Sequence, residues 1–133
     1  EFTYLDREKC RNTTTGERLP MARAYWEQND PHAVDGEHAE SFANLMARVD
    51  LLWRKLMDED TGRNIVVVGH ALFTYAALWH WLYPKDNSTP ISMKRCWNFM
   101  RSFPIPNASI LPVRTKPEFC FGIVQTDHIP DHL

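Results

Sequence analysis

The sequence has no run of one charge, no long unbroken apolar stretch and no paired cysteines, and each absence removes a class of protein. Lysine and arginine number 15 against 17 aspartates and glutamates, a formal charge of −2. Without a basic cluster there is no electrostatic footprint for nucleic acid or for an anionic membrane surface. The longest uncharged apolar stretch, Ile65 to Tyr83, is interrupted by Gly69, His70, Thr74 and His80. It divides into a strand and a helix and is no membrane span. Cys10, Cys96 and Cys120 are odd in number and far apart, with no CxxC and no Cys/His pair at zinc spacing. Neither a disulfide framework nor a structural metal is expected, and the thiols read as reduced and buried in a cytoplasmic protein. Glu1, Asp6, Arg7 and Glu8 break up any signal-peptide core at the start. The chain does not open with methionine, which suggests a processed or trimmed product.

What is present suits one domain. The 133 residues lie within the usual domain range, and 44% apolar content is ample for a core. No internal repeat or low-complexity tract occurs. Residues 1–16 read as irregular, and a helix is expected from Glu17 to Gln28, stopped by Asn29-Asp30-Pro31. A longer helix follows at about Ala39–Asp58, where Phe42, Leu45, Met46, Val49, Leu52, Trp53, Leu56 and Met57 keep helical spacing. Ile65-Val66-Val67-Val68 is the pattern of a strand buried on both faces. A helix from Leu72 to Leu82 succeeds it, and Thr89-Pro90 can cap another at about Ile91–Ser102. Asn107–Val113 and Phe119–Gln125 read as strands joined by a Thr115-Lys116-Pro117 turn. The order α-α-β-α-α-β-β suits an α/β layered domain with a mixed sheet.

Chemistry concentrates at Val68-Gly69-His70-Ala71, where the buried strand meets a helix. Ligands of open α/β sheets bind beyond the carboxyl ends of strands, and a helix N-terminus there offers free N–H groups to an anion. A histidine at that junction can donate to a phosphoryl oxygen; the plainer reading is a histidine satisfied by a neighbouring carbonyl. A serine-hydrolase elbow, G-x-S-x-G, does not fit, because Ala71 stands at the nucleophile position and Phe73 at the last glycine. Trp26, Trp53, Trp79, Trp81 and Trp97 read as core or partner-facing aromatics. Arg7, Arg11 and Arg18 read as a solvated charged surface, with anion binding as the sharper alternative. His128 and His132 are no helical metal pair, because Pro130 lies between them.

Several segments, taken in order, resemble the histidine phosphatase superfamily, the phosphoglycerate mutase-like family. Val66-Val67-Val68-Gly69-His70-Ala71 resembles its second histidine motif. Gly36 with Glu40-Ser41-Phe42 and Arg48-Val49 resembles its Gly-Glu-Ser segment, and Pro106-Asn107-Ala108-Ser109-Ile110 its late strand. Asp127 and His132-Leu133 resemble the C-terminal signature, and Glu1-Phe2-Thr3-Tyr4-Leu5 the segment bearing the general acid.

The resemblance implies a three-layer α/β fold, a mostly parallel mixed sheet flanked by helices. It also implies phosphomonoester hydrolysis through a phosphohistidine, with no metal or cofactor and with a phosphorylated small molecule as substrate. A homodimer is compatible with it. Carried over by residue, His70 matches the second histidine, which donates to the transferring phosphoryl group. Glu1 matches the general acid, and Ala71 and Asn107 match positions beside the phosphate. Glu40 and Ser41 read chiefly as caps of the long helix. The family's Arg-His-Gly nucleophile motif is nowhere in this sequence. The expectation is therefore that residues 1–133 are the C-terminal portion of one domain, lacking its N-terminal strands and some 60 or more residues, roughly two βαβ units. The alternative is a degenerate, non-catalytic member that binds a phosphorylated ligand or a protein partner.

Overall fold

The computed structural model describes residues 1–59, 64–85, 88–114 and 120–129. Five helices carry most of the order. The first, α1 (Arg7–Cys10), is one turn capped by the Asp6 carboxylate, within the stretch expected to be irregular. Helix α2 (Thr15–Gln28) begins two residues before the expected start because Thr14 and Glu17 form a reciprocal capping box. It stops where expected, with Asn29 in the left-handed region at φ 52°. Helix α3 (Phe42–Glu59) starts later than its apolar pattern suggests. Ser41, not Glu40, is its cap, accepting from the Asn44 amide at 3.1 Å. Helix α4 (Ala71–Leu82) follows His70, and α5 (Pro90–Met100) has the expected Thr89 cap and first-turn proline.

The core lies where α3 and α4 pack together and α5 lies against α4. Phe42, Leu45 and Val49 of α3 are fully buried, as are Ala76 of α4 and Met93 and Cys96 of α5. Phe2, Tyr25 and Trp26 extend this core toward the start of the chain. The Trp26 and Trp97 rings stack at 4.5 Å, joining α2 to α5. Burial pushes the Tyr25 phenol up to about 12. The tryptophan reading holds for Trp26 and Trp79, both buried in the core.

The sheet departs from expectation. Among the described residues it consists of two antiparallel strands, β1 (Val113–Arg114) and β2 (Cys120–Phe121). An isolated bridge pairs Ile110 with Gln125. Three steps separate Ile110 from Val113 but four separate Phe121 from Gln125, so the second strand holds a one-residue bulge. Gly122 sits there, where a Cβ would come within 3.1 Å of the Pro112 ring. The expected Thr115-Lys116-Pro117 turn lies outside the described residues. Asn107 is in a turn instead of a strand: Ala108 takes φ 62°, and the Pro106 carbonyl accepts from the Ser109 amide.

The largest correction concerns Ile65–Val68. The segment belongs to no strand and makes no hydrogen bond with any described residue. Val66 and Val68 are 85% and 92% exposed, and Ile65 and Val67 are 42% and 52% exposed. A strand is buried only by neighbours that pair with it and layers that cover it, and the described residues supply neither. Of the three cysteines, Cys96 is buried as expected, Cys10 is half-buried and Cys120 is exposed. No helix among the described residues is long and apolar enough to cross a membrane.

Candidate functional site

Helix α4 presents an uncapped N-terminus. His70 is its N-cap residue, with extended backbone angles and no side-chain cap. The His70 carbonyl accepts from the Thr74 amide at 3.0 Å and from Thr74 Oγ1 at 3.1 Å. That leaves the amides of Ala71, Leu72 and Phe73, the first three of the helix, without intrahelical acceptors. No acidic residue occupies the first turn to compete for them. The His70 side chain is exposed, and its imidazole has no hydrogen-bond partner among the described residues. Exposed imidazole, free amides and the positive helix end together form an arrangement suited to an oxyanion.

Glu1 is tied to this end of α4 through Arg48. The Arg48 guanidinium donates to both carboxylate oxygens of Glu40, at 2.7 and 2.8 Å, and to the Glu1 carbonyl at 2.6 Å. It also lies 5.2 Å from the centre of the Phe73 ring, in the first turn of α4. The Glu40 amide donates to the Thr3 carbonyl at 2.7 Å, holding the opening segment along residue 40. One arginine thus joins four parts of the sequence. Glu40 serves this clamp and not the helix cap.

A second knot stiffens the neighbouring wall. The Asp6 carboxylate accepts from the Glu8 amide at 2.8 Å and the His38 amide at 3.1 Å, and the Asp6 amide donates to Asp35 at 2.9 Å. Hydrogen bonds from the His38 and Glu8 amides hold the Asp6 carboxyl below the usual carboxylate range. Gly36 is required here, since a Cβ would sit 2.2 Å from the Asp6 carboxylate. Lys9 pairs with Asp35 at 2.8 Å. Beside this knot a cleft of about 330 Å³ opens, lined by Glu1, Tyr4, Arg7, Cys10, Arg18 and Leu19 among others.

Asn107 stands apart. Its turn is pinned by a His128 ring nitrogen 2.7 Å from the Ala108 carbonyl. The chain leading to it is anchored to α4, where the Tyr75 hydroxyl donates to the Phe103 carbonyl at 2.6 Å. No described contact joins Asn107 to His70. No group of three or more His, Cys, Asp or Glu side chains that could hold a metal occurs among the described residues.

Sequence reasoning passed over the Arg48 clamp. The signal available was the Glu40 and Arg48 pair, eight residues apart, with the acid placed before the helix instead of on it. A family model, histidine phosphatase superfamily (branch 1), matches residues 1–120. No curated protein and no solved structure matches the chain.

Proposed function

The chain belongs to the histidine phosphatase superfamily, and from that membership we propose that it is the C-terminal portion of a phosphomonoester hydrolase domain acting through a phosphohistidine. The superfamily is α/β and its activities are of the phosphatase and mutase type. The observation that carries the hydrolase reading is the His70 junction, an unpartnered imidazole beside three free helix amides.

In this reading a nucleophilic histidine from a segment ahead of Glu1 attacks phosphorus as the P–O bond to the leaving group breaks. Glu1 transfers its proton to the departing oxygen. His70 donates to a phosphoryl oxygen, and the Ala71 amide takes part of the charge that develops there. Water then attacks the phosphohistidine, giving its proton to the Glu1 carboxylate, and inorganic phosphate leaves with the nucleophile restored. Asn107 keeps its proposed place beside the phosphate on the family resemblance alone. The binding-only alternative shares the junction but lacks the nucleophile.

The decisive variant is His70→Ala in the full-length protein. Turnover of p-nitrophenyl phosphate should fall by at least ~10²-fold, the low end for a lost transition-state donor. Near-wild-type turnover rejects the assigned role. A wild-type protein that binds phosphate through His70 but turns nothing over selects the binding-only alternative.

The same proposal places Ile65–Val68 as an inner strand of a mostly parallel sheet between flanking helices. Its support is the four exposed apolar side chains. In the full-length protein, amides 65–68 should exchange with solvent as slowly as those of α3. Fast exchange there removes the three-layer arrangement.

A further inference from the structure

Resting on the hydrolase reading, we infer that the cleft beside Glu1 is a leaving-group subsite for phosphomonoesters whose alcohol portion joins an apolar ring to a second anionic group. The cleft, about 330 Å³, is within the size of small-ligand sites. Its walls are apolar where Phe2, Tyr4 and Leu19 contribute, and burial raises the titration of the Tyr4 phenol.

Two guanidinium groups supply the charge. Other cations of this region are neutralised: Lys9 pairs with Asp35, Arg11 with Glu8, and Arg48 with Glu40. Arg7 and Arg18 line the cleft and have no carboxylate partner among the described residues. Arg18 is also aimed. Its Nη2 donates to the Thr13 carbonyl at 3.0 Å and its Nε to the Thr14 carbonyl at 3.2 Å. Neutral carbonyls fix the guanidinium without cancelling its charge, and Nη1 is left without a described partner. Arg7 follows Asp6, so the Asp6 knot sets the position of its backbone. The wall carrying the proposed acid therefore also holds two cations without a described carboxylate partner, one of them, Arg18, fixed by neutral carbonyls.

The experiment uses the full-length protein and two esters, 4-carboxyphenyl phosphate and phenyl phosphate. It also measures equilibrium binding of their products, 4-hydroxybenzoate and phenol. The wild type should favour the carboxylated ester in kcat/KM by ~10-fold or more. Arg18→Gln and Arg7→Gln should each collapse that ratio by at least ~5-fold, and Arg18→Lys should keep part of it. Arg23→Gln, a change on α2 outside the cleft, should leave the ratio intact. Circular dichroism establishes that each variant is folded. Turnover of both esters with the same ratio in every variant overturns the subsite while leaving the hydrolase reading in place. Absence of turnover, with 4-hydroxybenzoate binding that still depends on Arg18, overturns the hydrolase reading and keeps the subsite. Absence of both rejects both.

Discussion

Removing the Arg48 fork tests whether one side chain holds the opening segment against the His70 helix. In Arg48→Gln three interactions go together. The first is the two-pronged pair with Glu40, in which Arg48 is 44% and Glu40 18% exposed. Exposed ion pairs contribute ~0.2–1 kcal/mol, and the bidentate geometry with a mostly covered acid puts this one at the top of that range. The second is the hydrogen bond to the Glu1 carbonyl, worth about 0.5–1.5 kcal/mol. The third is the cation over the Phe73 ring, about 0.5–1 kcal/mol where solvent reaches it. Because the three share one group they do not add fully, and the expected loss is about 2 kcal/mol. For a full-length protein of roughly 190 residues or more that lowers Tm by about 4–8 °C.

Urea unfolding of the full-length protein, its Arg48→Gln and Glu40→Gln variants and the double variant gives the loss and the coupling. The coupling between Glu40 and Arg48 should be about 1 kcal/mol. Arg48→Lys keeps the charge but not the fork, and should recover less than half of the loss. A loss under ~0.5 kcal/mol, or coupling near zero, would refute the clamp, since the ion pair, the hydrogen bond and the ring contact together should exceed that. A positioning role has a second signature. If Arg48 places Glu1, its removal should lower kcat per folded molecule more than it raises KM for phosphate esters, whereas simple destabilisation would lower only the amount of folded protein and leave both constants unchanged once normalised to it.

Two further outcomes follow from the packing and the Asp6 knot. Leu45→Ala, at a fully buried position of α3, should cost about 2–4 kcal/mol in urea unfolding, and a loss below ~1 kcal/mol would show that the α3 and α4 interface is not the core. Asp6 has its folded-state titration lowered by the His38 and Glu8 amides, so its stabilisation is present above the ordinary carboxylate range and disappears as pH falls through the lowered value. Asp6→Asn should therefore show a shallower acid-side decline of stability than the wild type, and parallel curves would mean that the charged form of Asp6 contributes nothing.

The helices were legible because their signals are local. Periodicity exposed the apolar face of α3, and the proline and threonine at its start exposed α5. The two-residue error at α2 came from the Thr14 and Glu17 capping box, whose hydrogen bonds satisfy amides that the apolar pattern does not count. The sheet and the clamp were less legible because their determinants are distant in sequence. Nothing in residues 40–48 announces that Arg48 will reach Glu1 and Phe73. At 106–109, strand-like composition lost to a proline-led turn with Ala108 in the left-handed region. At the site, His70 could be placed at a helix start from the strand-like run before it. Its hydrogen-bond environment, and the separation of Asn107 from it, depended on tertiary structure.

Ile65–Val68 shows why the fold and the site are one problem. Four β-branched residues are costly to leave in water: burying a valine or isoleucine side chain is worth ~1.5–3 kcal/mol. Here Val66 and Val68 remain 85% and 92% exposed, and the backbone between them has no hydrogen-bond partner among the described residues, the form of edge that recruits another strand. The segment runs without a break into Gly69 and His70, so its position sets the approach of the imidazole to the α4 amides. Strands laid on either side of it would gain several kcal/mol of apolar burial and, in the same step, fix the histidine. In the proposed reading the apolar run and the histidine are adjacent in sequence because a phosphoryl site at a strand end would need the strand held as firmly as the side chain. Uncovered, the junction has the right groups but no fixed frame for them. Binding of phosphate at His70 should therefore tighten in the same range of conditions that protects amides 65–68 from exchange, and independent responses would separate the strand from the site.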